Sequence, residues 1–348
     1  MTRASYYKVM ATSTAPLPGP IVSDRFKDFT IIETNYKQLS PTHYIPASIL
    51  VPKTLKPTPG AKTPIAIFWH GGALVLGQRL YADWFCQWIL EFVRSQNAIL
   101  VSPDYRLLPE HSGKDITEDV RDFFTWLHDP KGLAAAVPNL ELDTSNVLVT
   151  GGSAGGYLSV QSGLLDLPHE QRNAIRAVIA QYPMLDMHDR WYTQDYEKNL
   201  FSAGPNPPKH LLQDYLDELT GDEVVTSRIP PDGGMLSASI FGQGLYPKFL
   251  GTETGLYPFE NLRRRAEKSE RVPPTWVLHG REDDVVPVQG TDAFVELWKK
   301  VLPEKKGELH VNYESGSHGF DDAATVDTPW VAEGLRFVRR YWPEGGRA

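Results

Sequence analysis

From Pro64 to Tyr341 the chain alternates short β-branched apolar runs with longer stretches of helical periodicity, and this rhythm limits the fold more than any other feature. The runs are Pro64–Trp69, Ala98–Ser102, Asn146–Thr150, Ala177–Gln181, Thr275–Leu278 and Leu309–Tyr313. Many are almost continuously apolar, as strands are when helices cover both faces of a sheet. Helical patterns fall over Tyr81–Ser95, Ile116–His128, Ala154–Leu165, Val288–Val301 and Trp330–Tyr341. Strand–helix alternation builds βαβ units, hence an α/β chain with a mostly parallel sheet flanked by helices. Two earlier runs, Phe29–Tyr36 and Tyr44–Val51, have no helical pattern between them; they predict an antiparallel start and bring the sheet to eight strands.

Residues 186–272 break the rhythm. The segment is rich in Pro, Gly and aromatic residues, Trp191, Tyr192, Phe241 and Tyr246 among them. A structureless loop of that length is out of place in a compact domain, and so many rings must be buried against something. We expect a partly helical cap, inserted before the strand at Thr275 and covering the carboxyl edge of the sheet, where open α/β sheets bind ligands. The core then comprises residues 26–185 and 273–348. Residues 1–25 read as a loose arm whose Tyr6 and Tyr7 can dock onto the body.

Bulk properties narrow the function. With 348 residues, 41% of them hydrophobic, the chain has material for a large core without staples. A net charge of -8 with no Lys/Arg block speaks against nucleic acid and anionic membrane surfaces. No apolar run is long enough for a membrane span, and residues 1–20 lack the apolar stretch of a signal peptide, so a soluble cytoplasmic protein is expected. The single cysteine, Cys86, excludes an internal disulfide; among Trp84, Phe85 and Trp88 it reads as a buried structural thiol. There is no His-x-x-x-His pair or Cys cluster, so neither a metal nor another cofactor is expected.

The chemistry concentrates at strand ends. Gly151-Gly152-Ser153-Ala154-Gly155-Gly156 follows an apolar run and opens a helical pattern. That is the setting of a nucleophile elbow, a tight turn that needs small neighbours and presents a serine hydroxyl at a helix N-terminus. A serine hydroxyl needs an adjacent base. Of ten histidines, His318 stands out, in Gly316-Ser317-His318-Gly319-Phe320 after the last predicted strand. Small neighbours let it swing over a sheet edge, and it comes last in chain order, as the base does when the serine stands on such an elbow. The acid that orients the imidazole is sought after the Thr275–Leu278 run, where Glu282, Asp283 and Asp284 compete; the Gly-x-x-Asp spacing from Gly280 favours Asp283. Acyl transfer also needs donors for a developing oxyanion. His70-Gly71-Gly72-Ala73 follows the Pro64–Trp69 run and offers the backbone N–H groups of Gly72 and Ala73, with that of Ala154 after the serine. His70 and Trp69 are expected to support this loop rather than react.

With these residues placed, the sequence resembles the α/β-hydrolase superfamily, and within it the hormone-sensitive-lipase-like esterases and their fungal relatives. The resemblance covers residues 29–343. It rests on His70-Gly71-Gly72-Ala73, Asp104-Tyr105-Arg106-Leu107-Leu108-Pro109-Glu110, Gly152-Ser153-Ala154-Gly155-Gly156, Gly280–Asp283 and His318-Gly319-Phe320. It implies a carboxylic-ester hydrolase without a cofactor, and a structural loop over 104–110 with Arg106 and Glu110 in ion pairs. Two departures stand out: Gly152 where the family usually has Asp, and Asp283-Asp284-Val285 with Pro287 where its acid motif usually runs Asp-Pro-Leu. A bulky apolar ester of secondary metabolism suits the aromatic cap. Lactone opening, amide or thioester cleavage and acyl transfer remain open with the same triad. A non-catalytic binding protein on this scaffold, like the plant hormone receptors that resemble the family, is disfavoured because those lose the histidine.

Overall fold

The computed structural model describes residues 23–57, 60–202 and 204–343. The arm expected over 1–25, with Tyr6 and Tyr7, lies almost wholly outside them. Eight strands form one sheet: β1 (Phe29–Ser40), β2 (His43–Pro52), β3 (Thr63–Trp69), β4 (Ile99–Pro103), β5 (Leu142–Gly152), β6 (Ile175–Gln181), β7 (Thr275–Gly280) and β8 (Leu309–Glu314). Their spatial order is β1-β2-β4-β3-β5-β6-β7-β8. β2 runs antiparallel to both β1 and β4, and every later pairing is parallel. The antiparallel start and the eight strands match the expectation from the runs.

The apolar runs are two-faced because both faces are buried. Along β3, Ile65, Ile67 and Trp69 enter one core layer while Ala66 and Phe68 enter the other. The second layer is closed by α1 (Gln87–Ser95), through Trp88, Ile89, Phe92 and Val93, and by the last helix of the chain. The first is closed by α2 (Gly113–His128), α3 (Leu133–Ala136), α4 (Ala154–Leu164) and α5 (His169–Ala174). α2 starts on a capping box in which the Ser112 and Asp115 side chains each bond the other's backbone. α4 is buried along its whole length, the mark of a central helix. Helix was expected from Tyr81, but only a 3₁₀ turn, Ala82–Trp84, forms there. Phe85 and Cys86 are extended, because Phe85 turns inward to stack on Phe68 at 4.1 Å.

Between β6 and β7 the chain forms α6 (Arg190–Thr193), α7 (His210–Asp217), α8 (Gly234–Gly242), α9 (Tyr246–Leu250) and α10 (Pro258–Glu267); α11 (Val288–Val301) and α12 (Pro329–Arg339) complete the fold. α10 packs onto α4: buried Asn261 donates to Gln161 at 2.8 Å, and the Arg265 guanidinium reaches the Leu164 carbonyl at 3.0 Å. The earlier part of the segment instead meets loops at the carboxyl ends of the strands. Leu107 N–H donates to the Val225 carbonyl, Tyr246 to that of Ala73, and Trp191 Nε1 to that of Val285. No helix among the described residues is long and apolar enough to cross a membrane.

Candidate active site

The strand order reverses direction at β3: β4 lies on one side of it and β5 on the other. The loops leaving β3 and β5 therefore splay apart and open a crevice at their carboxyl ends. Both sequence-selected glycine loops meet there. A methyl group placed on Gly71 would lie 3.6 Å from Ser153 Cβ.

Ser153 sits in a sharp turn with φ 59° and ψ -119°, between β5 and α4. A non-glycine residue held there costs about 1–3 kcal/mol, so the surroundings must hold it. Its N–H donates to the Gln181 carbonyl at 2.9 Å, and its own carbonyl receives the Tyr157 N–H of α4. Close approach of α4 to β3 requires glycine at 155, where a Cβ would fall 2.0 Å from the Trp69 carbonyl oxygen. Gly152 also has a local reason: a Cβ would lie 3.0 Å from the Tyr182 ring, which fills the space that an Asp would need.

Among the three competing carboxylates, the structure pairs Asp283 with His318. Asp283 Oδ2 lies 2.8 Å from His318 Nδ1, and Oδ1 accepts the Val285 and Val286 N–H groups at 2.9 and 2.8 Å. The Asp283 carboxylate is fully buried, and the His318 imidazole is partly buried, 11% exposed. Burial alone would raise the Asp283 pKa; hydrogen bonds from His279 and His318 outweigh it and hold the carboxyl well below the usual range. Glu282 takes a different job, its carboxylate accepting from Ser315 Oγ and Gly316 N–H and so bracing the histidine loop.

Sequence reasoning missed two residues here. His279, fully buried at the end of β7, brings Nε2 to 3.2 Å from Asp283 Oδ2 and 2.9 Å from the Val286 carbonyl, while Nδ1 meets the Thr291 hydroxyl at 2.7 Å. Its only trace in the sequence was a histidine closing an apolar run. Tyr182 joins the two halves of the site: its ring lies against the Gly152 backbone and edge-on to His318 at 4.6 Å. On the outer side, exposed Phe201 approaches the same imidazole at 5.9 Å.

The loop after β3 is strained as well. Gly72 has φ 100°, and a Cβ there would fall 2.0 Å from the Leu76 carbonyl oxygen, so only glycine fits. Ala73 and Leu74 follow with φ 60° and 63°. Among the described residues, the N–H groups of Gly72, Ala73 and Ala154 donate to no other group. His70 lies beneath, stacked on Tyr105 at 4.2 Å with Nδ1 2.8 Å from the Gly71 carbonyl. Burial pushes its imidazole down to about 4, with the nearby Arg79 charge adding to the effect and the Gly71 hydrogen bond opposing it. Arg79 in turn grips Asp104, with N–H and Nη1 bonds at 2.6 and 2.7 Å. Arg106 and Glu110 are each ion-paired, though not with one another: Arg106 with Asp115, Glu118 and Asp119, and Glu110 with Arg228. Cys86 is buried, its thiol 3.3 Å from Asp321. No cluster of three or more His, Cys, Asp or Glu side chains suited to a metal occurs among the described residues.

Strand order, elbow and buried acid–histidine pair define an α/β hydrolase, and comparison with known proteins agrees. Residues 66–229 match the family described as having the alpha/beta hydrolase fold. The chain is 30% identical over 326 residues to a probable carboxylesterase, M8, of a Phoma species, spanning 92% of this chain and 98% of that one. It is 31% identical over 198 residues to the probable carboxylesterase clz11 of Cochliobolus lunatus, across 55% of this chain and 86% of the relative. The fold also superposes on the butyrate-bound thermophilic esterase Est2 of Thermogutta terrifontis with a TM-score of 0.55 at 18% identity, covering 90% of this chain and 93% of that one. The chain belongs to the α/β-hydrolase family.

Proposed function

We propose that this chain is a carboxylic ester hydrolase in which Ser153 is the nucleophile, His318 the general base and acid, and Asp283 the residue that orients it. The observation that carries the reading is the buried Asp283–His318 pair, set against a strained serine turn through the shared ring of Tyr182. Because Nδ1–H of His318 donates to Asp283, its Nε2 carries the lone pair. His318 takes the Ser153 proton as Oγ attacks the ester carbonyl carbon. The oxygen becomes an alkoxide within reach of the Gly72, Ala73 and Ala154 N–H groups. Collapse breaks the bond to the alcohol, which leaves with the proton from His318. Water then attacks the acyl-enzyme, giving its proton to His318, and the acid departs as Ser153 is reprotonated. Asp283, held ionised, stabilises the imidazolium at both stages.

On this reading, the part of the 186–272 segment before α10 acts as the cap, and exposed Phe201 forms an apolar wall beside His318. A small-molecule ester with an apolar acyl or alcohol part suits that wall. Ser153→Ala is expected to lower turnover of a chromogenic short-chain ester by at least about 10⁴-fold. Turnover near the unaltered rate would refute the assignment, and rates across esters, lactones, thioesters and amides define the acyl bond preferred.

A further inference from the structure

The strained loop that carries two of the three proposed oxyanion donors is held partly from outside itself. In the stretch 72–75 each carbonyl has a separate anchor. Gly72 O receives the N–H groups of Val75 and Leu76, both at 2.9 Å, within the loop. Leu74 O receives the Leu108 N–H at 2.8 Å from the loop after β4. The other two anchors come from the inserted segment. The Tyr246 hydroxyl donates to Ala73 O at 2.8 Å, and Arg228 Nη1 donates to Val75 O. Arg228 adds a two-way backbone bridge to Gly77, at 2.7 and 2.9 Å. Its guanidinium is steadied in turn by Glu110 and by Tyr215 of α7.

These anchors differ in what they fix. The Ala73 N–H belongs to the peptide plane whose carbonyl is Gly72 O, and the next plane carries Ala73 O. Ala73 sits between the two in the left-handed region, where a side-chain-bearing residue stays only if its neighbours insist. One plane is pinned by the loop's own turn, the other by a single phenol. Tyr246 is fully buried, boxed by Tyr192 at 5.4 Å and Phe241 at 4.9 Å, so its hydroxyl has little freedom to point elsewhere.

We infer that Tyr246 is a positioning residue for the oxyanion hole: by holding the Ala73 carbonyl, with Arg228 doing the same at Val75, the inserted segment aims the Ala73 N–H at the reacting oxygen. The segment thus sets the rate of the chemical step as well as covering the substrate. This inference rests on the assignment of Ser153 and the 72–73 loop proposed above.

The test is Tyr246→Phe, which keeps the ring and removes one hydroxyl. It is matched with Tyr257→Phe, which removes another phenol-to-carbonyl hydrogen bond of the inserted segment, 2.7 Å to Gly251 O, away from the loop. With active sites titrated, Tyr246→Phe is expected to lower kcat by about ten- to a hundred-fold with KM little changed. Its affinity for a trifluoromethyl ketone, which presents an oxyanion when bound to serine, should fall in parallel. Tyr257→Phe should keep both quantities. If Tyr246→Phe does not fold, Arg228→Lys serves: it keeps a cation beside Glu110, gives up the Val75 bond, and should show the same parallel loss. A kcat and ketone affinity within about two-fold of wild type, or an equal loss in Tyr257→Phe, overturns the inference. If Ser153→Ala is inert while Tyr246→Phe behaves as wild type, only this inference fails; if Ser153→Ala turns over, the underlying reading fails.

Discussion

Two strained turns face one another across the crevice, and they are held in opposite ways. The Ser153 elbow is secured by its immediate surroundings: the last carbonyl of β6, the first turn of α4, and the close contact of Gly155 with β3. The 72–77 loop draws its anchors from Leu108, Arg228 and Tyr246, the last two more than 150 residues further along the chain. The difference teaches that, on the proposed reading, the sheet and its own helix place Ser153, whereas the inserted segment shares in placing the loop that offers the Gly72 and Ala73 N–H groups. On that reading, substitutions in the 225–246 stretch are expected to retune turnover without touching the acid–histidine pair, and substitutions in the core to act on the pair itself.

The largest expected effect breaks the comparison on the core side. Asp283→Asn keeps an oxygen for the Val285 and Val286 N–H groups but turns an N–H₂ group toward His318 and His279. The imidazole must then accept at Nδ1 and carry its proton on Nε2, the nitrogen that faces the nucleophile on the proposed reading. We expect kcat to drop by about 10⁴-fold, with a stability loss of about 1–3 kcal/mol because the charge-assisted contacts of the buried carboxylate with His318 and His279 are lost, while His279 keeps the Val286 carbonyl as acceptor. A rate within about ten-fold of wild type would move the acid to another residue.

A smaller effect probes the loop side. In the folded chain His70 is neutral, its pKa pushed down to about 4, whereas an unfolded histidine binds a proton near about 6.5. Between these values the unfolded state holds more protons, so stability falls as pH falls through the window, by about 3 kcal/mol at most. His70→Asn should flatten that part of the stability–pH curve in denaturant titrations. An unchanged slope would show that His70 does not stay neutral beneath the loop.

The sheet was legible because its central strands are buried on both faces and so stand out as apolar runs, while the edge strands β1 and β8 are only partly covered. The proposed nucleophile and base, Ser153 and His318, stand out in the sequence because small residues and strand ends mark the few places where a side chain can reach over a sheet edge. Spacing favoured Asp283 over its neighbours, and the structure supplies the physical reason: Glu282 is engaged with the histidine loop, while Asp283 turns inward to the imidazole. Other features had no readable signal. Tyr246 and Arg228 act on backbone carbonyls, which leave no side-chain pattern, across large sequence distances. Tyr182 is one aromatic among many until the fold sets it between Gly152 and His318. The break at Phe85–Cys86 was hidden because the inward turn of Phe85 preserves the apolar periodicity of a helix.

The central claim is that Ser153 is the nucleophile, activated by His318. The most direct measurement is mass spectrometry of the protein after exposure to a fluorophosphonate, with peptide mapping of the adduct. The account predicts one adduct per chain, located on Ser153, formed slowly or not at all once His318 is replaced by alanine. An adduct on another residue, or none on a folded protein that still cleaves esters, would contradict it.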